Sequence, residues 1–181
     1  MAARRVLTVE PSSAAVAVDR SSSSAGVESF EHFYRAQADR VYRALAVTLG
    51  DADLARDATA EAMARAYARW SQVSRVDNPG GWVYRVGLNW ATSWWRRHRR
   101  EHPLPVDVDP AAPPTDIDGV SVLAALRRLD TRSRAVVVCR VLLDLSTAQT
   151  AAALDLAEGT VKSRLARALA ALRASLTEEA P

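Results

Sequence analysis

Five of the chain's eight prolines fall between residues 103 and 114, and that stretch decides what the rest can become. Pro103, Pro105, Pro110, Pro113 and Pro114 each lack a backbone N–H and turn the preceding residue away from the helical region. No helix or central strand can cross such a run, so the 181 residues divide into two folding blocks joined by an extended, semi-rigid linker. Asp107, Asp109, Asp116 and Asp118 make the same stretch acidic. These charges can mimic nucleic acid in a basic channel, or simply keep a spacer solvated. The expected organisation is a disordered N-terminal extension at 1–26, which includes Ser21-Ser22-Ser23-Ser24, and a first block at 27–101. The linker at 102–119, a second block at 120–176 and a tail at 177–181 follow.

Both blocks read as helical. Phe30, Phe33, Tyr34, Ala38, Val41, Tyr42, Leu45 and Leu49 recur at spacings of three and four, the mark of one buried helix face. Gly50 suits the stop of that helix, and Asp51 or Asp53 suits the next N-cap. The Ala-rich segment Asp53–Trp70 predicts a second helix, followed by a loop over 71–79. Pro79 fits the first turn of a third helix, which carries Val83, Val86, Trp90 and Trp94 on one side and continues into Arg100. The second block predicts four shorter helices. They are Val122–Leu129, one capped by Thr131 and running to about Leu143, one opened by the Ser146/Gln149 capping box, and Glu158–Leu176. The last has Val161, Leu165, Ala168, Leu169 and Leu172 as its buried stripe. With no repeat and no strand pattern, the fold class is all-α, in two small helical domains.

Apolar residues make up 49% of the chain, enough for a packed core. The net charge of +3 is too slight to establish a nucleic-acid partner by itself, so the placement of the basic groups matters more. Cys139 is the only cysteine, which excludes an internal disulfide and fits a reducing cytoplasm. Its place in the apolar run Ala135–Val141 makes it a buried structural thiol. No run approaches the roughly 20 apolar residues of a membrane span. Arg4 and Arg5 are followed by Glu10 and Pro11 before an apolar segment can develop, so neither export nor membrane insertion is expected.

Two clusters carry chemistry. The short helix Thr147–Leu154, the turn Asp155-Leu156-Ala157 and the longer helix after it form a helix–turn–helix, which places its second helix in the major groove. Opposite the apolar stripe of that helix, Ser163 and Arg167 centre a face flanked by Thr160, Lys162 and Arg164. These side chains suit bases and phosphates, although an ordinary amphipathic helix also presents a solvated basic face. In the first block, Trp90, Trp94 and Trp95 alternate with Arg96, Arg97, Arg99 and Arg100. Aromatic faces stack on unpaired bases while Arg neutralises the backbone. Trp94 is expected to pack inside, leaving Trp95 and Arg96 as the contact candidates. His98 and His102 share a metal-like i, i+4 spacing, but the Arg neighbours repel a cation. No cofactor, metal or enzymatic constellation is expected: paired carboxylates, a nucleophile with its base and a phosphate loop are all missing.

The run Gly81-Trp82-Val83-Tyr84-Arg85-Val86-Gly87-Leu88-Asn89, with the Arg cluster behind it, resembles the W-L-Y-R-I-A-x-N signature of sigma region 2. Gly50-Asp51 and Ala55-Arg56-Asp57-Ala58-Thr59-Ala60-Glu61-Ala62-Met63 are similar to that region's G-D and A-E-D-L-V-Q-E-V-F words. In the second block, Leu129-Asp130-Thr131-Arg132-Ser133-Arg134 resembles L-P-x-x-x-R. Glu158 to Ala168 resembles E-G-T-V-K-S-R-L-x-R-A of sigma region 4. Two such regions with no room for a third resemble the extracytoplasmic-function group of sigma factors, in an actinobacterial style. The resemblance implies a protein that brings core RNA polymerase to promoter DNA, held through the β′ clamp and the β flap. An anti-sigma factor is a further partner common in the group. By the same resemblance, Asp57, Glu61 and Arg65 would dock on the clamp. Asn89, Ser93, Trp95, Arg96, Arg97, Arg99 and Arg100 would melt and hold the minus-ten element. Thr160, Lys162, Ser163, Arg164 and Arg167 would read the minus-thirty-five duplex.

The chain departs from the family words in several places. Arg56 and Ala60 replace a Glu and a Gln of the clamp-docking face, weakening its acidic, polar character. Ser93 stands for an Asp of the minus-ten helix, and Gln149-Thr150-Ala151 for E-I-A. Asp155 replaces the turn Gly, and Ala157 a capping Ser at a cost of about 1 kcal/mol. Two other readings compete. A LuxR-type helix–turn–helix regulator would use similar T-V-K words, but the Arg–Trp helix is a poor match to a receiver or ligand domain. A degenerate sigma-like protein would bind polymerase without starting transcription.

Overall fold

The computed structural model describes residues 20–101 and 117–178, with side chains from 29 to 97 and from 122 to 177. The expectations for residues 1–19, 102–116 and 179–181 lie outside the described residues, as do those for the side chains of His98, Arg99 and Arg100. Every regular element among the described residues is a helix: α1 (Arg20–Leu49), α2 (Ala52–Ala68), α3 (Trp70–Val73), α4 (Pro79–Glu101), α5 (Ile117–Arg128), α6 (Thr131–Val141), α7 (Thr147–Leu154) and α8 (Glu158–Glu178). None of them is long and apolar enough to cross a membrane.

The ends of these helices follow local chemistry. Gly50 adopts φ +73°, a left-handed conformation that stops α1, while its N–H donates to Ala46 O at 2.9 Å. Asp51, rather than Asp53, caps α2 by accepting the Leu54 N–H at 2.9 Å. α1 begins at Arg20, ahead of the expected block start. No proline interrupts Arg20–Leu49, and extending a nucleated helix costs little. The single turn α3 occupies the beginning of the segment expected to be a loop. Asn78 caps α4, its Oδ1 accepting the Gly81 N–H at 2.7 Å, with Pro79 in the first turn as expected.

In the second block the cap of α6 is Asp130, not Thr131. One carboxylate oxygen of Asp130 accepts both the Arg132 and Ser133 N–H groups at 3.0 Å, which leaves Thr131 as the first helical residue. α6 stops at Val141, earlier than expected. Beyond it the chain turns through Asp144 at φ 53°, and Leu145 N–H donates to Cys139 O at 2.9 Å.

Packing is tight where α4 crosses α1 and α2. A Cβ at Gly87 would stand 2.8 Å from Leu45 Cδ1 and 3.1 Å from Ala58 O, so only glycine allows these helices their present spacing. Around that crossing α1 buries Val41, Ala44 and Leu45, α2 buries Ala55, Ala58, Ala62 and Met63, and α4 buries Val83, Tyr84 and Ala91. The same core continues without a break into Val138, Cys139, Leu143 and Leu145 of the second block. Each fully buried Val or Leu adds about 1.5–3 kcal/mol. A smaller cluster of Val136, Ala151 and Val161, covered by Leu154, Leu156 and Leu165, holds α6, α7 and α8 together. The two helical regions are therefore packed face to face.

Candidate polymerase and nucleic-acid interfaces

α2 presents the first candidate face. Asp57 and Glu61 lie one turn apart, with Asp57 and Arg65 exposed and Glu61 half-buried. Arg65 Nε donates to Glu61 Oε1 at 2.8 Å, so the three residues lie along one strip of the helix. Arg56, where the family word has an acid, turns back to Asp53 at 2.6 Å, and that carboxylate raises the already high guanidinium pKa. Its positive charge is thus matched locally, and the outward strip keeps Asp57 and Glu61 as its carboxylates. Exposed pairs of this kind are screened by solvent and weak, so a partner can displace them at little cost.

α4 is held by its buried side. Tyr84 is fully buried, and its hydroxyl lies 2.8 Å from Thr48 Oγ1. Thr48 spends its own proton on Ala44 O at 2.8 Å, so Tyr84 is the donor of that pair. The Cys139 thiol lies beside Tyr84. Burial pushes the thiol up to about 12, against a smaller lowering by the tyrosine hydroxyl. Burial first, then Cys139, pushes Tyr84 well above the ordinary phenol value. Cys139 is thus a protonated structural thiol, as its apolar setting implied.

The outer side of α4 carries exposed Asn89, Thr92, Trp95, Arg96 and Arg97, with Ser93 half-buried. Trp95 is 46% exposed, whereas Trp90 and Trp94 are half-buried. Trp94 is therefore only partly inside. Asn89, Thr92 and Trp95 form one wall of a groove of about 730 Å³. The other wall belongs to the second region, through Arg132, Ala135 and the turn Leu154-Asp155-Leu156. The sequence offered no sign that these residues face one another.

The helix–turn–helix is built on two devices. Ser146 accepts the Gln149 N–H at 3.1 Å while Gln149 Oε1 accepts the Ser146 N–H at 2.9 Å, a complete capping box at α7. Asp155 then adopts φ 54°, ψ 53°, which redirects the chain into α8. On α8, Val161 and Ala168 are buried, while Lys162, Ser163 and Arg167 are exposed and Thr160 and Arg164 half-buried. Arg167 Nε donates to Ser163 O at 3.3 Å, which ties the guanidinium stem along the helix.

Arg164 behaves differently from its neighbours. Its Nε is enclosed, and its charge helps to hold the Asp130 carboxylate below the usual range, after the Ser133 and Arg132 hydrogen bonds. Arg164 and Arg167 line a groove of about 480 Å³ with Asp130, Arg132 and Ser133 at the start of α6. The structure thus adds Arg132 to the basic surface around α8. The resemblance had used it only as an unspecified position in the L-P-x-x-x-R word.

Two family profiles match the chain: sigma-70 region 2 over residues 33–101 and sigma-70 region 4 over residues 120–172. The RNA polymerase sigma-E factor of Streptomyces coelicolor is 36% identical over 152 residues, covering 81% of this chain and 85% of that protein. The ECF RNA polymerase sigma factor SigM of Mycobacterium tuberculosis is 35% identical over 147 residues, covering 79% and 74%. Among solved structures, the sigma factor RpoE in complex with the anti-sigma factor NepR from Bartonella quintana shares the fold with a TM-score of 0.74 at 20% identity, covering 84% of this chain and 99% of that one. CnrH in complex with the cytosolic domain of CnrY gives a TM-score of 0.62 at 22% identity, covering 89% and 96%. With both regions matched in order and relatives aligned across most of their length, this chain belongs to the sigma-70 family, as an RNA polymerase sigma factor of the extracytoplasmic-function group.

Proposed function

We propose that this sigma factor divides promoter recognition between its two helical regions, acting in the cytoplasm by binding rather than by catalysing a reaction of its own. Its partners are core RNA polymerase, through the β′ clamp and the β flap, and promoter DNA; an anti-sigma factor is the inhibitor class this reading expects. The strip Asp57, Glu61 and Arg65 on α2 docks on the clamp. The outer side of α4, with Asn89, Ser93, Trp95, Arg96 and Arg97 and the continuing Arg99 and Arg100, holds unpaired minus-ten bases. Thr160, Lys162, Ser163, Arg164 and Arg167 on α8 meet the minus-thirty-five duplex, with Arg164 acting at the edge of that surface.

The observation that carries this reading is the capped helix–turn–helix. Its second helix buries Val161 and Ala168 and leaves Lys162, Ser163 and Arg167 exposed. Run-off transcription with core polymerase from the source organism, on fragmented genomic DNA, is the test. Discrete start sites that depend on this protein are expected, and their upstream sequences give the promoter consensus. Binding to core without transcripts would point to a degenerate sigma-like protein. Duplex binding without any affinity for core would instead make it a conventional regulator.

A further inference from the structure

We propose that Asp130 is a resident counter-anion in the arginine groove beside α8, where it keeps Arg164 from holding a duplex phosphate and so loosens the chain's grip on every duplex. The inference deepens the assignment of α8 to duplex DNA and rests on it.

The groove of about 480 Å³ lies between the start of α6 and the side of α8 that carries Arg164 and Arg167. With Arg132, three guanidinium groups line it, and Asp130 is the single carboxylate among its lining residues. Three such cations beside a helix that meets duplex DNA form a seat for a backbone phosphate. Asp130 already occupies that setting as an anion. One oxygen of its carboxylate accepts the Arg132 and Ser133 N–H groups, both at 3.0 Å, which pins the side chain at the groove. The Ser133 hydroxyl and amide first, then the Arg132 amide and the Arg164 charge, hold the carboxyl below the usual range. It is therefore ionised at neutral pH.

The three arginines do not feel this anion equally. Arg132 and Arg167 are exposed, and Arg167 Nε donates to Ser163 O at 3.3 Å along its own helix. Water screens both from the carboxylate. Arg164 is half-buried, and its Nε is enclosed without a hydrogen-bond partner. Its charge is the least screened of the three, so Asp130 offsets it most. A guanidinium offset within the protein gains little from a phosphate, which Asp130 also repels.

The sequence supplies an independent point. Where the region 4 word L-P-x-x-x-R has an uncharged proline, this chain has Asp130. The backbone there, at φ −60°, is one that proline also adopts, so the turn does not impose a carboxylate.

Asp130→Asn removes the charge and keeps a residue that caps helices equally well, so α6 is retained. Binding of a fluorescent mixed-sequence duplex to the full chain is measured across a salt series. Asp130→Asn is expected to bind about fivefold more tightly at about 0.1 M salt, with a log–log salt slope steeper by about 0.9. Asp130→Pro, with its helical circular dichroism unchanged, is expected to behave alike. Arg164→Gln is expected to lose less than about twofold in affinity, and adding Asp130→Asn to it should bring no gain. Asp144→Asn is the charge control. It removes an exposed carboxylate of the same region, at a left-handed position that Asn tolerates, and should leave affinity unchanged. A readout free of DNA accompanies these. In carbon-detected NMR titrations the Asp130 carboxyl is expected to titrate about 0.5 pH unit higher in Arg164→Gln than in wild type.

Unchanged affinity and slope in both Asp130 variants would overturn the proposal. So would a gain that persists in the Arg164→Gln background, or an equal gain from Asp144→Asn, because either makes Asp130 one negative charge among many. An Asp130 titration indifferent to Arg164→Gln would overturn the pairing on which the proposal stands. No duplex binding by any form, even at low salt, would instead overturn the assignment of α8 to duplex DNA, and with it the role given to Asp130.

Discussion

Replacing Gly87 with alanine tests the crossing on which both candidate faces of region 2 depend. The new Cβ would meet Leu45 Cδ1 at 2.8 Å and Ala58 O at 3.1 Å. Ordinary contact begins near 3.4 Å, so Leu45 must give by several tenths of an ångström and the α2 backbone by less. Leu45 is fully buried, and the second contact is backbone, which cannot rotate away. Overpacking of this kind costs about 1–3 kcal/mol. Alanine recovers up to about 1 kcal/mol through its helix propensity. Because one of the two contacts is unyielding backbone, a cost of about 2–3 kcal/mol is expected here. After the helix-propensity gain the net loss is about 1–2 kcal/mol, or a Tm lower by about 2–8 °C for a chain of this size. Gly159 provides the matched control, because a Cβ there meets nothing within 4 Å. Gly159→Ala is expected to be neutral or to raise stability by up to about 1 kcal/mol. Thermal unfolding followed by circular dichroism at 222 nm measures both. A Gly87→Ala protein as stable as wild type would refute the close-approach argument and the α2–α4 spacing drawn from it.

Ser146→Ala removes one half of the α7 capping box and should cost about 0.5–2 kcal/mol, visible as faster hydrogen exchange in α7; unchanged exchange would mean the box adds nothing. Asp130→Ala should cost about 1 kcal/mol at neutral pH by uncapping α6, a loss that denaturant midpoints report. The Asp130 carboxylate is held low by Ser133, then Arg132 and Arg164, so its stabilisation is full above the ordinary carboxyl pKa of about 4. That stabilisation is lost as pH falls through the lower folded value, and Asp130→Asn should flatten this part of the acid-unfolding curve. On α8, Arg167→Ala should weaken promoter-duplex binding by about 1–3 kcal/mol if the guanidinium reads a base. Lys162→Ala should reduce the salt dependence of binding by about one phosphate contact with no change in sequence preference. Fluorescence anisotropy across a salt series separates the two, and an Arg167 variant with unaltered affinity and preference would show that α8 meets DNA by another face.

Local rules were enough for much of this molecule. The apolar repeat of three and four set α1, Gly50 ended it because a left-handed stop favours glycine, and Ser146 with Gln149 opened α7 through a bond pattern confined to four residues. The polarity of α8 was legible for the same reason: which residues share a helix face depends only on the turn per residue. Where local chemistry offered two adjacent candidates, the reading was less secure. Asp130 took the cap assigned to Thr131 because its carboxylate reaches two amides.

Which faces meet was not legible. Nothing along the chain says that Gly87 admits Leu45 and the Ala58 carbonyl, that Leu145 covers Gly81, or that Cys139 lies against Tyr84, because each pair is distant in sequence. Arg164 shows the limit most clearly. The helical repeat places it on the flank of the basic face, whereas the fold encloses its Nε and brings its charge near Asp130 at the start of α6. Periodicity fixes the direction of a side chain relative to its own helix axis. Whether that direction ends in solvent, in DNA or against another helix is set by how the axes pack, and here the tertiary structure alone joined the two regions through one core.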